Sequence, residues 1–217
     1  MSTADLFAGC LAAPPETPLA PGAVLLHGFA LADAPALLAA IGAVTTQAPF
    51  RQMTTPGGFR MSVAMSNCGP LGWITDRRGY RYAALDPDSG QPWPAIPPVL
   101  RRLALAAAAR AGFAHFIPDA CLINRYAPGS KMALHQDRDE HDFTQPIVSV
   151  SLGLPATFLF GGLERSDKAA RVALAHGDVV VWGGPARLRF HGIAPLKDGS
   201  HPATGACRIN LTLRKAA

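Results

Sequence analysis

The sequence predicts a mainly β fold, a sandwich or barrel, with two flanking helices. Three observations carry this expectation. After residue 119 the short segments "CLINRYA", "KMALHQD", "PIVSVSLG", "ATFLFGG", "RVALAHGDVVVWGG", "RLRFHGIA" and "CRINLTLR" follow one another closely, with Pro and Gly at the joints. Many short strands so punctuated form sandwiches or barrels. Only two stretches, both earlier, have helical character. Finally, 49% of the 217 residues are hydrophobic and only 16% are charged, so one generous core can be buried.

Each element follows from local signals. Residues 9 to 22, rich in Ala and Pro, read as an irregular lead-in. "DAPALLAAIGAVTTQ" (33 to 47) reads as a helix with Asp33 as N-cap and Pro35 in the first turn. Between residues 50 and 95 the turn signals "PGG", "CGPLG" and "DPDSG" separate short hairpin-like segments. The second helix runs from Pro97 to about Ala111, with Gly112 as its stop.

Composition excludes several classes. No apolar run approaches the roughly 18 residues of a membrane span, and "MSTADLFAGC" lacks the basic and apolar regions of a signal peptide. Cys10, Cys68, Cys121 and Cys207 are scattered without a CxxC pair, which is neither a zinc-finger spacing nor a disulfide framework. A reducing cytoplasm is the expected location. The net charge of +5 suits a polyanionic partner such as nucleic acid.

Three constellations carry chemistry. In "LHQDRDE", His135 and Asp137 lie two apart, the spacing that puts both on one face of a strand. Two ligands do not hold a metal, and His191 in "RLRFHGIAP" is the best third candidate. Two histidines and one carboxylate with open positions characterise non-haem Fe(II) oxygenases. The other histidines lack a carboxylate at that spacing, except His176, whose "AHGD" reads as a turn.

The second constellation is "CRINLTLR", which alternates strictly. Arg208, Asn210, Thr212 and Arg214 share one face; Ile209, Leu211 and Leu213 share the other. Either the polar face meets water or it lines a barrel interior and binds a small dianion through the planar guanidinium fork. Asn124 and Tyr126 in "LINRYA" could complete such a pocket. In the third, Arg51, Arg60, Arg77, Arg78 and Arg81 interleave with Phe59, Trp73, Tyr80 and Tyr82. Basic groups hold phosphates and aromatic faces stack on bases. From these residues alone, a zinc hydrolase, a non-catalytic binding module and an oxygenase of small molecules or proteins all stay open.

Taken in order, the strings "RQMTTPGG", "MSVAMSNCGPLGW", "PDACLINRYAPG", "LHQDRDE", "PIVSVSLGLPATFLFGGL", "HGDVVVWGG" and "CRINLTLR" resemble the AlkB family of Fe(II)/2-oxoglutarate-dependent nucleic-acid dealkylases. The resemblance spans about Asp5 to Lys215. It implies a double-stranded β-helix, or jelly roll, with an N-terminal nucleotide-recognition lid. One catalytic domain (1–217) would comprise an extension and helix (1–48), the lid (49–95), and a helix with the jelly-roll core (96–217).

By the same resemblance, His135, Asp137 and His191 form the catalytic Fe(II) site. Asn124, Tyr126, Arg208, Asn210 and Arg214 bind 2-oxoglutarate, and O2 is the other cosubstrate. Trp73 stacks on a flipped base opposite His135, and Tyr80 belongs to the lid. Asp139 meets the exocyclic amino edge of the base, and Arg165 lies near the substrate. The implied reaction is oxidative demethylation of 1-methyladenine and 3-methylcytosine, with release of formaldehyde, succinate and CO2. The expected partner of this monomer is alkylated single-stranded DNA; RNA, and double-stranded DNA through base flipping, stay open, as does a non-nucleic-acid substrate. Phe59 replaces the family's tyrosine, Arg138 replaces a lysine, and Arg78 and Arg81 exceed the usual pattern, which bears on substrate preference.

Overall fold

The structure, a computed structural model, describes residues 16–217. Its strands are β1 (Glu16–Ala20), β2 (Ala23–Leu26), β3 (Ala64–Cys68), β4 (Gly72–Asp76), β5 (Gly79–Ala83), β6 (Ala120–Tyr126) and β7 (Met132–His135), then β8 (Ile147–Gly153), β9 (Ala156–Phe160), β10 (Ala170–Leu174), β11 (Val179–Trp182), β12 (His191–Ile193) and β13 (Arg208–Arg214). Helices α1 (Ala34–Gln47) and α2 (Pro98–Arg110) are the two that the sequence predicts. A seven-stranded antiparallel sheet has the order β1-β2-β11-β8-β13-β6-β3, and a four-stranded sheet the order β10-β9-β12-β7. The fold is a jelly roll, and β4 and β5 form a separate hairpin.

Two apolar cores explain why β8 and β13 sit at the centre. One lies between the large sheet and the helices: Leu37, Ile41, Leu100 and Leu103 meet Val148, Val150, Leu211 and Leu213. The other lies inside the roll around Phe158, Phe160, Trp182 and Ile193. The apolar face of β13 is therefore covered by helices. Its polar face is turned into the roll, where Arg208, Asn210, Thr212 and Arg214 are all buried. A strand buried on both faces tolerates polar groups only where they find partners.

Several local expectations change. Residues 16–20 of the supposed lead-in form an edge strand because β2 docks on β11 and carries β1 with it; residues 9–15, with Cys10, lie outside the described residues. Pro18 is tolerated at that edge beside an irregularity in the register. Asp33 occupies the N-cap of α1 without a side-chain capping bond and reaches Arg102 of α2 instead. Gly112 does end α2, with φ +90. The "KMALHQD" strand stops at His135, and "RLRFHGIA" is extended only over His191–Ile193. Among the described residues, no helix is long and apolar enough to cross a membrane.

Candidate metal centre and cosubstrate pocket

Strands β7 and β12 pair so that His135 stands directly opposite His191. Gly192 allows this approach, since a Cβ there would lie 2.6 Å from the Met132 carbonyl oxygen. Asp137 swings in from just beyond β7, and the ligand atoms of His135, Asp137 and His191 all lie within 4.8 Å of one another. Strand alternation alone thus does not deliver Asp137; the chain has already left the sheet. His135 Nδ1 is 2.9 Å from the Ala133 carbonyl and His191 Nδ1 is 3.0 Å from that of Arg189. Each Nδ1 then donates to a carbonyl, and both Nε2 atoms are turned toward Asp137, at 3.7 Å each.

The electrostatics suit a cation. Burial, followed by neighbouring His135, pushes His191 down to about 4, which keeps its imidazole neutral. Burial opposes ionisation of Asp137, but Arg214 first and then His191 and His135 outweigh it and hold the carboxyl below its usual range. Arg214 Nη2 is 2.7 Å from Asp137 Oδ2, yet no well-aligned hydrogen bond reaches that buried oxygen. A neutral His191 imidazole and the His135 ring beside an ionised carboxylate with a free lone pair fit a divalent metal.

The polar face of β13 continues from this centre. Asn210 stands opposite Asn124 of β6, and Arg208 opposite Tyr126. Asn124 donates to Asn210 Oδ1 at 3.2 Å, and Asn210 donates to Ser149 Oγ at 2.8 Å. Arg208 is 1% exposed, donates to Ser151 Oγ at 2.9 Å and lies over the Tyr126 ring. Its Nε and Nη1 have no partner, and burial lowers its hold on the proton. A buried guanidinium with no carboxylate beside it calls for an anion. The cavity it lines also receives Asn124, Tyr126, His135, His191 and Arg214, so one ligand can span both ends.

Sequence reasoning missed the residues behind the metal centre. Glu140, buried, accepts from Tyr82 Oη at 2.6 Å and from Arg187 Nη2 at 3.1 Å, and Arg214 Nε lies 3.5 Å away. Arg187, also buried, donates to the Asp137 carbonyl at 2.7 Å and to that of Gln145 at 3.1 Å. Burial raises Tyr82 well above its ordinary value, so it stays a hydroxyl donor. The one available hint was a third acid in "LHQDRDE" with no assigned task.

Around the hairpin, Trp73 Nε1 donates to Asp139 Oδ2 at 2.9 Å, and its ring stacks on Tyr80 at 5.6 Å and 17°. Buried Asn67, also unforeseen, clamps the Trp73 backbone with two bonds of 3.0 Å. Trp73, Tyr80 and Asp139 are therefore brought together. Arg165 is not part of that cluster; it lies over Phe190, next to His191 in the chain. The interleaved arginines divide. Arg51 pairs with Asp86 and Asp88, and Arg78 and Arg81 both pair with Asp76. Arg60 and Arg77 are exposed, without an acidic partner among the described residues.

Comparison with known proteins agrees with this geometry. The model of the 2OG-Fe(II) oxygenase superfamily matches residues 22–214. The chain is 62% identical over 213 residues to the alpha-ketoglutarate-dependent dioxygenase AlkB of Salmonella typhimurium, covering 98% of each. It is 59% identical over 212 residues to that of Escherichia coli, covering 98% of this chain and 97% of the relative. Among solved structures, OsALKBH1 superposes with a TM-score of 0.81 at 30% identity, over 93% of this chain and 100% of the other.

Proposed function

The chain belongs to the AlkB family within the 2OG-Fe(II) oxygenase superfamily, and from that premise we propose that this Fe(II)/2-oxoglutarate-dependent dioxygenase demethylates N-alkylated bases such as 1-methyladenine and 3-methylcytosine in single-stranded nucleic acid. The observation that carries the reading is the unpaired, buried Arg208 in one cavity with His135 and His191, the two histidines that converge with Asp137. With Fe(II), 2-oxoglutarate and O2 bound, the centre supplies oxidative decarboxylation coupled to hydroxylation of the alkyl carbon. Formaldehyde then leaves from the hydroxylated nitrogen substituent.

The protein's own task is holding and orienting. His135, Asp137 and His191 hold the metal. Arg208, lying over the Tyr126 ring, would take a carboxylate of the cosubstrate, and Asn124, Asn210 and Arg214, which line the same cavity, would help to hold it. On the substrate side, the target atom lies on the Watson–Crick edge, so the base must leave its stack or come from a single strand. Residues 49–95 act as the lid: Trp73 and Tyr80 offer aromatic faces to a cationic methylated base, and Asp139 offers negative charge. Arg165 serves at the rim. The protein acts as a monomer. A reducing compartment such as the cytoplasm suits Cys68 and Cys121, which face each other across β3 and β6 as free thiols.

Release of formaldehyde from methylated single-stranded oligonucleotides tests the reading directly. A stacked base is worth roughly 1–3 kcal/mol by alanine substitution, so Trp73→Ala is expected to weaken use of the oligonucleotide by on the order of tenfold or more. Trp73→Ala with unchanged turnover, or a small molecule outperforming both DNA and RNA, would leave only an oxygenase of another substrate.

A further inference from the structure

We propose that Glu140 is a positioning residue that couples the β4–β5 hairpin to the metal centre, so that engagement of a nucleic-acid base sets the geometry around Asp137. The proposal rests on the nucleic-acid reading above and extends it to how substrate binding is communicated.

The acids of "LHQDRDE" divide between the two sites. Asp137 faces the histidines, whereas Asp139 and Glu140 are each held by the hairpin. Trp73 holds Asp139, and Tyr82 holds Glu140. Trp73 and Tyr82 are themselves cross-strand partners in that hairpin, so a base pressing on Trp73 acts on both contacts. From Glu140 two routes return to Asp137. Arg187 bridges the Glu140 carboxylate to the Asp137 carbonyl. Arg214 lies between Glu140, the Tyr82 hydroxyl at 3.3 Å and the Asp137 carboxylate.

The charges balance, with two carboxylates against two guanidinium groups. All four of these side chains are at most 8% exposed. In so dry a place each contact is strong and directional, and displacement of one member is felt by the rest. Tyr82 is the one member contributed by the hairpin, and its hydroxyl is the link that can be removed alone. Glu140→Ala would strand the buried Arg187 charge, leave Arg214 with Asp137 alone and endanger folding, so it is a poor test.

Tyr82→Phe keeps the ring and deletes the hydroxyl. With a single-stranded oligonucleotide carrying 1-methyladenine, formaldehyde released per succinate formed is expected to fall about fivefold, the equivalent of one lost hydrogen bond. A second reading needs no metal or cosubstrate. In the wild-type protein the same oligonucleotide is expected to slow amide exchange across residues 136–141, and Tyr82→Phe is expected to lose that protection. The charge-balanced double variant Glu140→Gln/Arg187→Met, which removes one buried charge of each sign, is expected to uncouple in the same way.

A lower melting temperature with an unchanged formaldehyde-to-succinate ratio would make the network a structural brace and overturn the proposal. So would wild-type exchange protection in Tyr82→Phe. If the wild-type protein itself neither bound nor demethylated the oligonucleotide, the substrate reading would fail first and take this coupling with it.

Discussion

Strand β13 ends in an arginine at each extremity, both buried and both turned into the roll, and the two have opposite surroundings. Arg214 lies against Asp137, Glu140 and the Tyr82 hydroxyl. Arg208 meets one serine hydroxyl and an aromatic face, and two of its nitrogens have no partner. Burial works against both charges. At Arg214, Asp137, Tyr82 and Glu140 outweigh it; at Arg208 nothing of that size does. The lesson is that a buried cation with its own anions is part of the framework, whereas a buried cation without one is a receptor. Six residues of strand separate them, about 20 Å between Cα atoms, so the two serve different ends of one cavity.

The largest effect should come from disturbing the paired end. Glu140→Ala leaves Arg187 and Arg214 with one acid fewer in a dry site, and breaking a buried pair in this way costs about 3–5 kcal/mol. Urea unfolding of the metal-free protein measures it. A loss below about 1 kcal/mol would mean that water already screens the network, and the contrast with Arg208 would collapse.

The unpaired end should behave in reverse. Arg208→Met removes a desolvated charge that the protein alone does not neutralise. Stability without ligand should therefore stay within about 1 kcal/mol of wild type, or rise. The rise in melting temperature on adding 2-oxoglutarate should vanish, because a charge-assisted bond worth about 1.5–3 kcal/mol is gone. Thermal denaturation with and without 2-oxoglutarate separates the two effects. A strongly destabilised Arg208→Met would show that Arg208 too is framework.

The same distinction between paired and unpaired arginines applies at the surface, with the smallest effect. Arg77 has no acidic partner among the described residues, while Arg78 and Arg81 share Asp76, whose carboxyl those two hold well below the usual range. Arg77→Ala should lower the salt slope of oligonucleotide binding by about 1. Arg78→Ala should lower it less. Equal slopes for the two variants would mean that the Asp76 pairs open freely when nucleic acid binds.

What the sequence determined by itself was short-range and periodic. The alternation of "CRINLTLR" places four polar side chains on one face of β13 whatever packs on it. The HxD spacing, the helix from 33 to 47 and the glycine stop at 112 are equally local, and the family's strings reinforced all of them. Tertiary structure decided what faces what. Only the docking of α1 and α2 on Leu211 and Leu213 turns the polar face inward, and only β12 beside β7 brings His191 to His135. The pairing of Glu140 with Arg187 and with Tyr82 joins residues far apart in the chain. The strand at 16–20 exists because β2 finds an edge at β11. Periodicity reports which residues share a face; burial, and therefore which charges must find partners, is a property of the assembled layers and has no local signal.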